Sequence, residues 1–571
     1  MEHIKIFNSV AEKDNFIDAD SFKYDIVGLI KNVEGVVYNP PQEVINSYTV
    51  SGITYDASVT FDSTANTVSW DYTLDKTTRS GKHVNTSGID SQNVEYSVNT
   101  DSTNKNISGE IISYSEVIEY NFTQGIGTDK YFSFTALEDG TFTFSGYSNN
   151  TSIQYSVNNG ASWVTLNSGV ASPTVTSGNK ILWRGTLTSY RDSDYKGVGN
   201  FTSTGRFNAQ GNIMSLLYGD NFEGQTIVSE GGFSTLFKGN SNIVNSNGII
   251  LSITTAPAYC FYEMFRNCAS LETAMEIKAT TIGAKCCQFM FAGTKISKLP
   301  SLLATIASDG CYAYMFYGCD NITSIPANYL PATTLEDYCY HNMFDGCSSL
   351  ISVPTDLLPA TTLSIYCYQA MFYGCSSLTN VPNLPATNVV LGCYESMFKN
   401  CSSLTSVPAN LLQATAVVER CYEDMFNGCS SLITTPNLPA TSIRSWSYQG
   451  MFGGCTSLVN APSVLPPTTM YENCYRAMFR NCTSLVTAPV LPATSIKSQC
   501  YQNMFDGCSS LNYIKAMFTT TPSTTSGNGP TGNWVKGVSS TGTFVKNSSA
   551  SWSTVGDNGV PEGWTVETAS S

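Results

Sequence analysis

The feature that most constrains this chain is a repeat: the dipeptide Met-Phe returns every 25 to 28 residues through its middle. Ten copies at this spacing begin at Met264, Met290, Met315, Met343, Met371, Met397, Met425, Met451, Met478 and Met504. The unit reads approximately L-P-A-T-x-L-x-x-x-C-Y-x-x-M-F-x-G-C-S-S-L-T-x-V-P and is clearest from Leu358 to Pro382. A single coil of this length cannot bury its own apolar side, so the repeat predicts coils stacked on one another.

The Met-Phe part of the unit predicts a short helix. Cys339 and Met343 are four residues apart, and Tyr340 and Phe344 repeat that spacing one residue later. Such pairs form two adjacent apolar rows on one face of a helix. Gly346 is expected to end the helix, where a left-handed residue is favoured.

The rest of the unit predicts a strand and a return segment. From Leu350 to Val353 apolar and polar residues alternate, with both of these side chains expected to face the core, and Pro354 stops the strand. The period and the pattern together are typical of an α/β leucine-rich-repeat solenoid of about ten coils, over residues 209–517.

All nineteen cysteines lie between Cys260 and Cys508. Most form pairs at i,i+8, on either side of the Met-Phe dipeptide. A bridge within a pair would span a helix and its exit, about 10 Å or more, beyond the reach of a disulfide. Zinc sites favour tighter spacing. We therefore expect two ladders of buried, reduced thiols that fill the core.

The blocks C-Y-x-x-M-F-x-G-C-S-S-L, such as Cys367 to Leu378, resemble the BspA-like leucine-rich repeats of gut bacterial surface proteins and of phages that infect those bacteria. Residues 131–142 and 213–222 look like the β domain that often precedes such arrays, and 542–546 with 563–566 resemble their end. The resemblance implies a fold and a binding role, without naming a ligand.

The remaining sequence predicts four further domains. Residues 1–40 suggest a small α+β attachment module, similar to those that begin phage fibre and tail proteins. Alternating segments within 41–123 predict an immunoglobulin-like β-sandwich. A second β-sandwich is expected over 124–208, with a hairpin around Asn159-Gly160. Residues 518–571, with three tryptophans, predict a β cap over the last coil.

Composition excludes several classes of function. The chain has 29 basic and 44 acidic residues, a net charge of −15, which disfavours nucleic acid or an anionic membrane as a partner. No apolar run reaches the length of a membrane-spanning helix.

Catalytic and metal-binding patterns are missing from the sequence. The three histidines are scattered, and His341 is interpreted as a solvent-facing residue at a variable repeat position. The acidic pairs Glu336/Asp337 and Glu423/Asp424 are interpreted as serving solubility. No phosphate-binding loop, zinc motif or nucleophile motif occurs. We therefore expect no enzyme activity, no cofactor and no metal.

Aromatic residues at variable repeat positions are the candidate ligand contacts, because their rings can stack on sugars; the alternative is that several of them pack between coils. These candidates are Tyr317, Tyr338, Tyr366, Tyr373, Trp446 and Tyr471.

Two functional hypotheses follow. The first is a structural virion protein of a tailed phage, a fibre or tail appendage that binds a host-surface glycan or protein; the alternative is a bacterial cell-surface adhesin. The sequence from Met1 to Ser9 does not read as a signal peptide, which favours folding in the host cytoplasm and assembly into a virion over export to the cell surface. Contact with other virion proteins is assigned to apolar residues of the first module, and a homo-oligomer is compatible with this reading. These candidate attachment residues are Ile4, Ile6, Phe7, Ile26, Leu29 and Ile30.

Overall fold

A computed structural model describes residues 131–148, 150–190, 197–466, 469–523 and 529–569, together with the backbone of six strands between 47 and 122. The chain divides into two compact units, Met1–Lys130 and Tyr131–Ser571. Residues 1–40, with all six candidate attachment residues, lie outside the described residues.

The first unit contains two antiparallel arrangements. Four strands pair in sequential order, so they form a meander: β1 Ser47–Val50, β2 Ile53–Asp62, β3 Thr67–Leu74 and β4 Thr77–Val84. Two longer strands form a hairpin: β5 Val94–Lys105 and β6 Ile111–Phe122. The alternating segments of the sequence are therefore strands, while their grouping into an immunoglobulin-like sandwich stays a prediction.

The second unit opens with a β domain built around aromatic side chains. Its strands are β7 Phe132–Ala136, β8 Phe142–Gly146, β9 Ser152–Ser156, β10 Val164–Asn167, β11 Lys180–Arg184, β12 Gly199–Ser203, β13 Phe207–Asn212 and β14 Ile243–Ile250. Six strands form one sheet in the order β10-β9-β11-β7-β13-β14, and β12 pairs with β8. Phe134 is fully buried, with its ring 4.7 Å from that of Phe207 and 5.0 Å from that of Phe201.

Two details of this domain bear on the sequence predictions. Strands β9 and β10 are antiparallel, and the loop between them holds Asn159 and Gly160 at positive φ, which confirms the predicted hairpin. Strand β13 crosses the expected boundary at 208/209 and pairs in parallel with β14. A short helix, α1 Ser215–Tyr218, and a 3-10 turn, Gly219–Asn221, follow β13.

The predicted helix of each repeat is wrong. Residues 338–347 form successive turns in which Tyr338, Asn342 and Gly346 have left-handed φ values of 56°, 51° and 74°. An α-helix cannot contain such residues. The backbone N–H groups alternate: that of His341 donates within its own coil, to Tyr338, while that of Asn342 donates to Gln369 of the next coil.

We call each such ten-residue stretch a turn segment and number its positions 1 to 10, so that Tyr338 is at position 1 and Cys347 at position 10. Twelve turn segments occur among the described residues, and together they form what we call the repeat stack. They span 231–240, 259–268, 285–294, 310–319, 338–347, 366–375, 392–401, 420–429, 446–455, 473–482, 499–508 and 529–538.

The turn segments lie on one another through columns of identical side chains. Positions 2, 3, 6, 7 and 10 point inward; in the segment that begins at Tyr338 they hold Cys339, Tyr340, Met343, Phe344 and Cys347, all buried. The phenylalanine rings at position 7 stack from Phe237 to Phe505, with centroids 5.4 to 5.9 Å apart. The inward direction predicted for these residues is confirmed, although the helix is not.

Short parallel pairings join the coils on other sides of the stack. The two-residue strands are β15 Thr255–Ala256, β16 Thr281–Ile282, β17 Ile306–Ala307 and β18 Thr334–Leu335. Leu350 and Val353 are buried, as predicted, but the predicted strand is reduced to an isolated bridge in which Ser352 pairs in parallel with Ser324.

The C-terminal end closes the stack with β structure and tryptophan. Strands β19 Tyr513–Ala516, β20 Thr543–Lys546 and β21 Thr565–Thr568 form a parallel sheet. Trp534 is fully buried and packs 6.3 Å from the rings of both Tyr501 and Phe505, so it continues the inward columns beyond the last Met-Phe coil.

Candidate functional site

The outward positions of the turn segments form the candidate site, which we call the turn face. Positions 1, 4, 5, 8 and 9 of each segment point away from the core, and the first four of these carry many different residue types along the stack. Position 9 is glycine or asparagine in all twelve segments, because the backbone there is left-handed and these residues adopt that conformation most readily.

Five of the six candidate aromatic residues lie on the turn face. Tyr338, Tyr366 and Trp446 are at position 1, whereas Tyr317 and Tyr373 are at position 8; Tyr471 lies two residues before its segment. Tyr317 and Tyr338 are 45% and 41% exposed, and the other four are half-buried. The three rings at position 1 have left-handed φ values, a costly conformation for a bulky residue.

Contacts within the chain already cover one face of several of these rings. The rings of Tyr338 and Tyr366 stack with centroids 5.2 Å apart. The guanidinium of Arg420 lies 5.1 Å from the ring centre of Trp446. A second guanidinium, of Arg444, lies 5.1 Å from the ring centre of Tyr471 and donates to its hydroxyl at 2.9 Å. Packing between coils therefore accounts for part of the candidate set, and a ligand would meet the remaining faces and edges.

A row of polar side chains at position 4 was missed by the sequence analysis. In this row, Nε2 of His341 lies 2.8 Å from the hydroxyl of Tyr314, which is at position 5 of the preceding coil. Further along, Nε2 of Gln369 donates to Glu395 at 3.0 Å, and Nε2 of Gln449 donates to Glu423 at 2.6 Å. The signal that could have found this row is the set of amide, acidic and imidazole residues at one repeat position, with Gln369, Glu395, Glu423 and Gln449 in register.

The interpretation of His341 as solvent-facing is wrong. Its ring is half-buried, and Nδ1 is enclosed without a hydrogen-bond partner among the described residues. Burial lowers the pKa of His341 to about 4, because a buried ring disfavours the charged form. The imidazole is therefore neutral near pH 7.

The interpretation of Glu423 as a solubility residue is also wrong. It is 8% exposed and accepts hydrogen bonds from Gln449 and from Arg420. Burial, followed by the neighbouring Glu395 carboxylate, raises the pKa of Glu423 to about 7. Burial also raises the pKa of Glu395. The two carboxylates disfavour each other's charge in adjacent coils.

A notch interrupts the turn face where one segment lacks side chains. Gly450, Gly453 and Gly454 occupy positions 5, 8 and 9 of segment 446–455. They border a cavity of about 370 Å³ that Asp424 and Asn427 line from the preceding coil, and Arg476 and Arg480 from the following coil.

Eighteen cysteines form the two predicted ladders, at positions 2 and 10, while Cys287 lies at position 3; all nineteen are buried. The sequence analysis missed a hydrogen bond that explains the ladder at position 10. Sγ of Cys347 donates to the carbonyl oxygen of Phe316 at 3.2 Å, and Sγ of Cys375 donates to that of Phe344 at 3.2 Å. Burial raises the pKa of the Cys319 thiol to about 11, which leaves it poorly reactive.

Among the described residues, no group of three or more His, Cys, Asp or Glu side chains is placed to hold a metal ion. In the same part of the chain, no helix has the length and apolar character needed to cross a bilayer.

The comparison with family models agrees with the repeat. Residues 254–458 match, in six copies, the model described as BspA type leucine rich repeat region. Leucine-rich repeats of this type are therefore present, and the turn segments of the structure continue on both sides of the matched residues. Neither a curated protein nor a solved structure matches the chain.

Proposed function

We propose that this protein is a surface-recognition protein whose repeat stack is a solenoid that presents the turn face to a ligand. The single observation that carries the proposal is the division within each turn segment: inward positions repeat the same residues, whereas outward positions 1, 4, 5 and 8 carry many different residue types along the stack. Stacked coils contact only their neighbours, so outward residues can change without disturbing the core.

The chemistry of the turn face supports binding rather than catalysis. Exposed or half-buried aromatic rings, guanidinium groups and amides lie side by side, and these groups are enriched where proteins bind other molecules. A glycan or a protein on a host surface is the proposed ligand, since both offer hydroxyl and amide groups to such a face.

We propose that the particle that carries this protein is a tailed-phage virion, in which the chain is a fibre or tail appendage. A bacterial cell-surface adhesin is the alternative. The support is the resemblance of the repeats and of the first module to proteins of these two kinds. In the virion arrangement residues 1–40 bind other virion proteins, the domains of 41–208 act as a spacer and the repeat stack presents the turn face outward.

Recognition is tested by binding of the labelled full-length chain to a panel of gut bacterial cells. Replacing the exposed Tyr317 and Tyr338 by alanine is expected to weaken binding by at least about tenfold. The matched control is Ile351→Ala, which removes an exposed apolar side chain that lies outside the turn segments. Equal loss in the control, or no loss in the tyrosine variant, would contradict a role for the turn face.

The carrier is tested separately by mass spectrometry of purified phage particles and of surface-labelled bacteria. Detection in particles, with loss of incorporation after deletion of residues 1–40, is expected. Detection on bacterial surfaces alone would select the adhesin instead.

A further inference from the structure

The notch at segment 446–455 is unlike every other described part of the turn face. No other turn segment among the twelve has glycine at positions 5, 8 and 9 together. Position 8 carries a side chain in the neighbouring coils, Asn427 before and Arg480 after. Loss of the side chains at positions 5 and 8 in one coil opens about 370 Å³, a volume in the range of small-molecule sites.

Packing inside the chain explains part of this glycine content. A Cβ atom on Gly450 would lie 2.0 Å from Oδ1 of Asp424, and one on Gly453 would lie 2.8 Å from Nδ2 of Asn427. Nδ2 of Asn427 donates to the carbonyl oxygen of Gly450 at 3.1 Å. These contacts explain why two of the positions are glycine, but they do not explain the residues on the opposite wall of the notch.

The opposite wall holds a guanidinium without a partner. Across the notch, Asp424 is paired with Lys399 at 2.8 Å, and Arg480 is paired with Asp506 at 3.2 Å. The side chain of Arg476 makes neither an ion pair nor a side-chain hydrogen bond within the described residues. The notch thus keeps one uncompensated positive charge in a chain of net charge −15.

We propose that the notch binds a sugar residue that carries a carboxylate, with the guanidinium of Arg476 holding the carboxylate. The planar fork of arginine donates two parallel hydrogen bonds to such a group. Asn427, Asn481 and Asn503 line the same cavity and offer amide groups to sugar hydroxyls. Glycine at the base lets the ligand approach the backbone closely.

The charge balance of the notch favours a carboxylate over a phosphate. A guanidinium binds both groups well, but the single uncompensated positive charge balances a singly charged acid and leaves a doubly charged phosphate with an excess negative charge. The inference rests on the proposed recognition function and assigns a ligand class to one place on the turn face.

The test is calorimetric titration of the full-length protein with D-galacturonic acid, N-acetylneuraminic acid, the methyl esters of both sugars and inorganic phosphate. At least one free acid is expected to bind with a Kd on the order of 1 mM, and its uncharged ester at least about tenfold more weakly. Arg476→Gln is expected to abolish the difference between acid and ester.

Two further variants keep the result interpretable. Gly453→Asn copies the residue of the preceding coil, has a permitted backbone conformation and fills the notch, so it is expected to remove binding of acid and ester alike. Arg206→Gln makes the same change of charge as Arg476→Gln at an exposed residue of the β domain, outside the turn segments, and is expected to bind as the wild type. Circular dichroism and the unfolding midpoint identify any variant that fails to fold.

The proposal is overturned if neither acid binds up to about 20 mM, if acid and ester bind equally, if phosphate binds more tightly than the acids, or if Arg476→Gln binds the acid normally. Binding to bacterial cells separates this outcome from failure of the proposed function. Cells that bind the wild type and Arg476→Gln equally, with no sugar acid bound, would remove the notch as the ligand site and leave recognition by the turn face intact.

Discussion

The inward and outward positions of one turn segment follow different rules, although they alternate along the same ten residues. At position 7 phenylalanine fills eleven consecutive coils, from Phe237 to Phe505, and each ring touches the same ring in the coils before and after it. At position 8, one residue later, the same coils carry lysine, arginine, alanine, tyrosine, aspartate, asparagine and glycine.

The difference comes from the number of interfaces that each side chain serves. An inward residue packs against its equivalents on two sides, so a change of side-chain shape disturbs two interfaces. The stack of rings therefore favours the same residue type in every coil. An outward residue meets solvent and contacts neighbours through hydrogen bonds that several side chains can form. The inward positions therefore set the architecture, whereas the outward positions can vary without changing it.

The largest expected effect is the loss of one ring from the stacked column. Phe398→Ala removes a fully buried side chain whose ring lies 5.7 Å from that of Phe372 and 5.6 Å from that of Phe426. We expect the free energy of unfolding to fall by about 3–5 kcal/mol. Lys399→Ala, one residue later and outward, is expected to cost less than about 1 kcal/mol. Urea unfolding of both variants tests the comparison, and similar losses at the two positions would contradict it.

A smaller effect is expected in the cysteine ladder at position 10. Sγ of Cys401 donates to the carbonyl oxygen of Phe372 at 3.1 Å, so Cys401→Ala loses both a hydrogen bond and the volume of sulfur, about 2 kcal/mol. Cys401→Ser keeps a donor and is expected to be less destabilised than the alanine variant. The chain already has a hydroxyl at position 10 in Thr294, which donates at 2.8 Å to Phe291 of its own coil instead of to the preceding coil. If serine and alanine are equally destabilising, the thiol acts only as a filler.

The sequence predicted which side chains face inward but not the secondary structure that turns them there. Cys339 and Met343 are four residues apart because left-handed residues recur every fourth position, a period close to the 3.6 residues of an α-helix. Spacing alone cannot separate the two, since both place such a pair on one face. Glycine or asparagine at position 9 of every segment was the available sign of a left-handed backbone. At position 1 the backbone is left-handed too, but there Tyr338 and Trp446 are residue types that give no such sign.

The first and last coils were missed because they lack the Met-Phe dipeptide. Leu236-Phe237 and Trp534-Val535 occupy those positions at the two ends. The environments of His341 and Glu423 could not be predicted from local sequence, because each is set by residues 26 to 28 positions away in neighbouring coils. A repeat can be aligned from sequence, whereas burial at an outward position depends on what the adjacent coils carry.

At position 4, an outward position, the buried side chain of Glu423 makes the stability of the stack depend on pH. The folded-state pKa of Glu423 is about 7, above its ordinary value of 4.5, because burial and Glu395 disfavour the charge. Below the ordinary value both states are protonated and nothing is lost; between about 4.5 and 7 the unfolded chain ionises while the folded protein keeps the proton, so stability falls, and the loss is complete above about 7. Glu423→Gln is therefore expected to gain about 1 kcal/mol at pH 8 relative to wild type and little at pH 4. Thermal unfolding across this range tests it, with the exposed Glu272→Gln as the control. A gain that does not depend on pH would show that the charge of Glu423 is not the cause.

The smallest effect concerns the backbone at position 1, where the side chain points outward but the residue has a left-handed φ. Lys285 has a φ of 53°, and Gly310 fills the same position in the next coil. Lys285→Gly removes the cost of holding a non-glycine residue in the left-handed conformation, roughly 1 kcal/mol. The same change gives the unfolded chain more conformational freedom, which lowers the free energy of unfolding by roughly 0.5 kcal/mol. We expect a net gain of about 0.5 kcal/mol in the free energy of unfolding.

At Lys295, whose φ is not left-handed, the same substitution gives only the unfavourable contribution and is expected to lose about 0.5–1 kcal/mol. The opposite signs at two outward lysines, measured by urea unfolding, would show that the left-handed backbone limits the choice of residue on the turn face. Losses of equal size would mean that left-handed residues carry no strain in this stack.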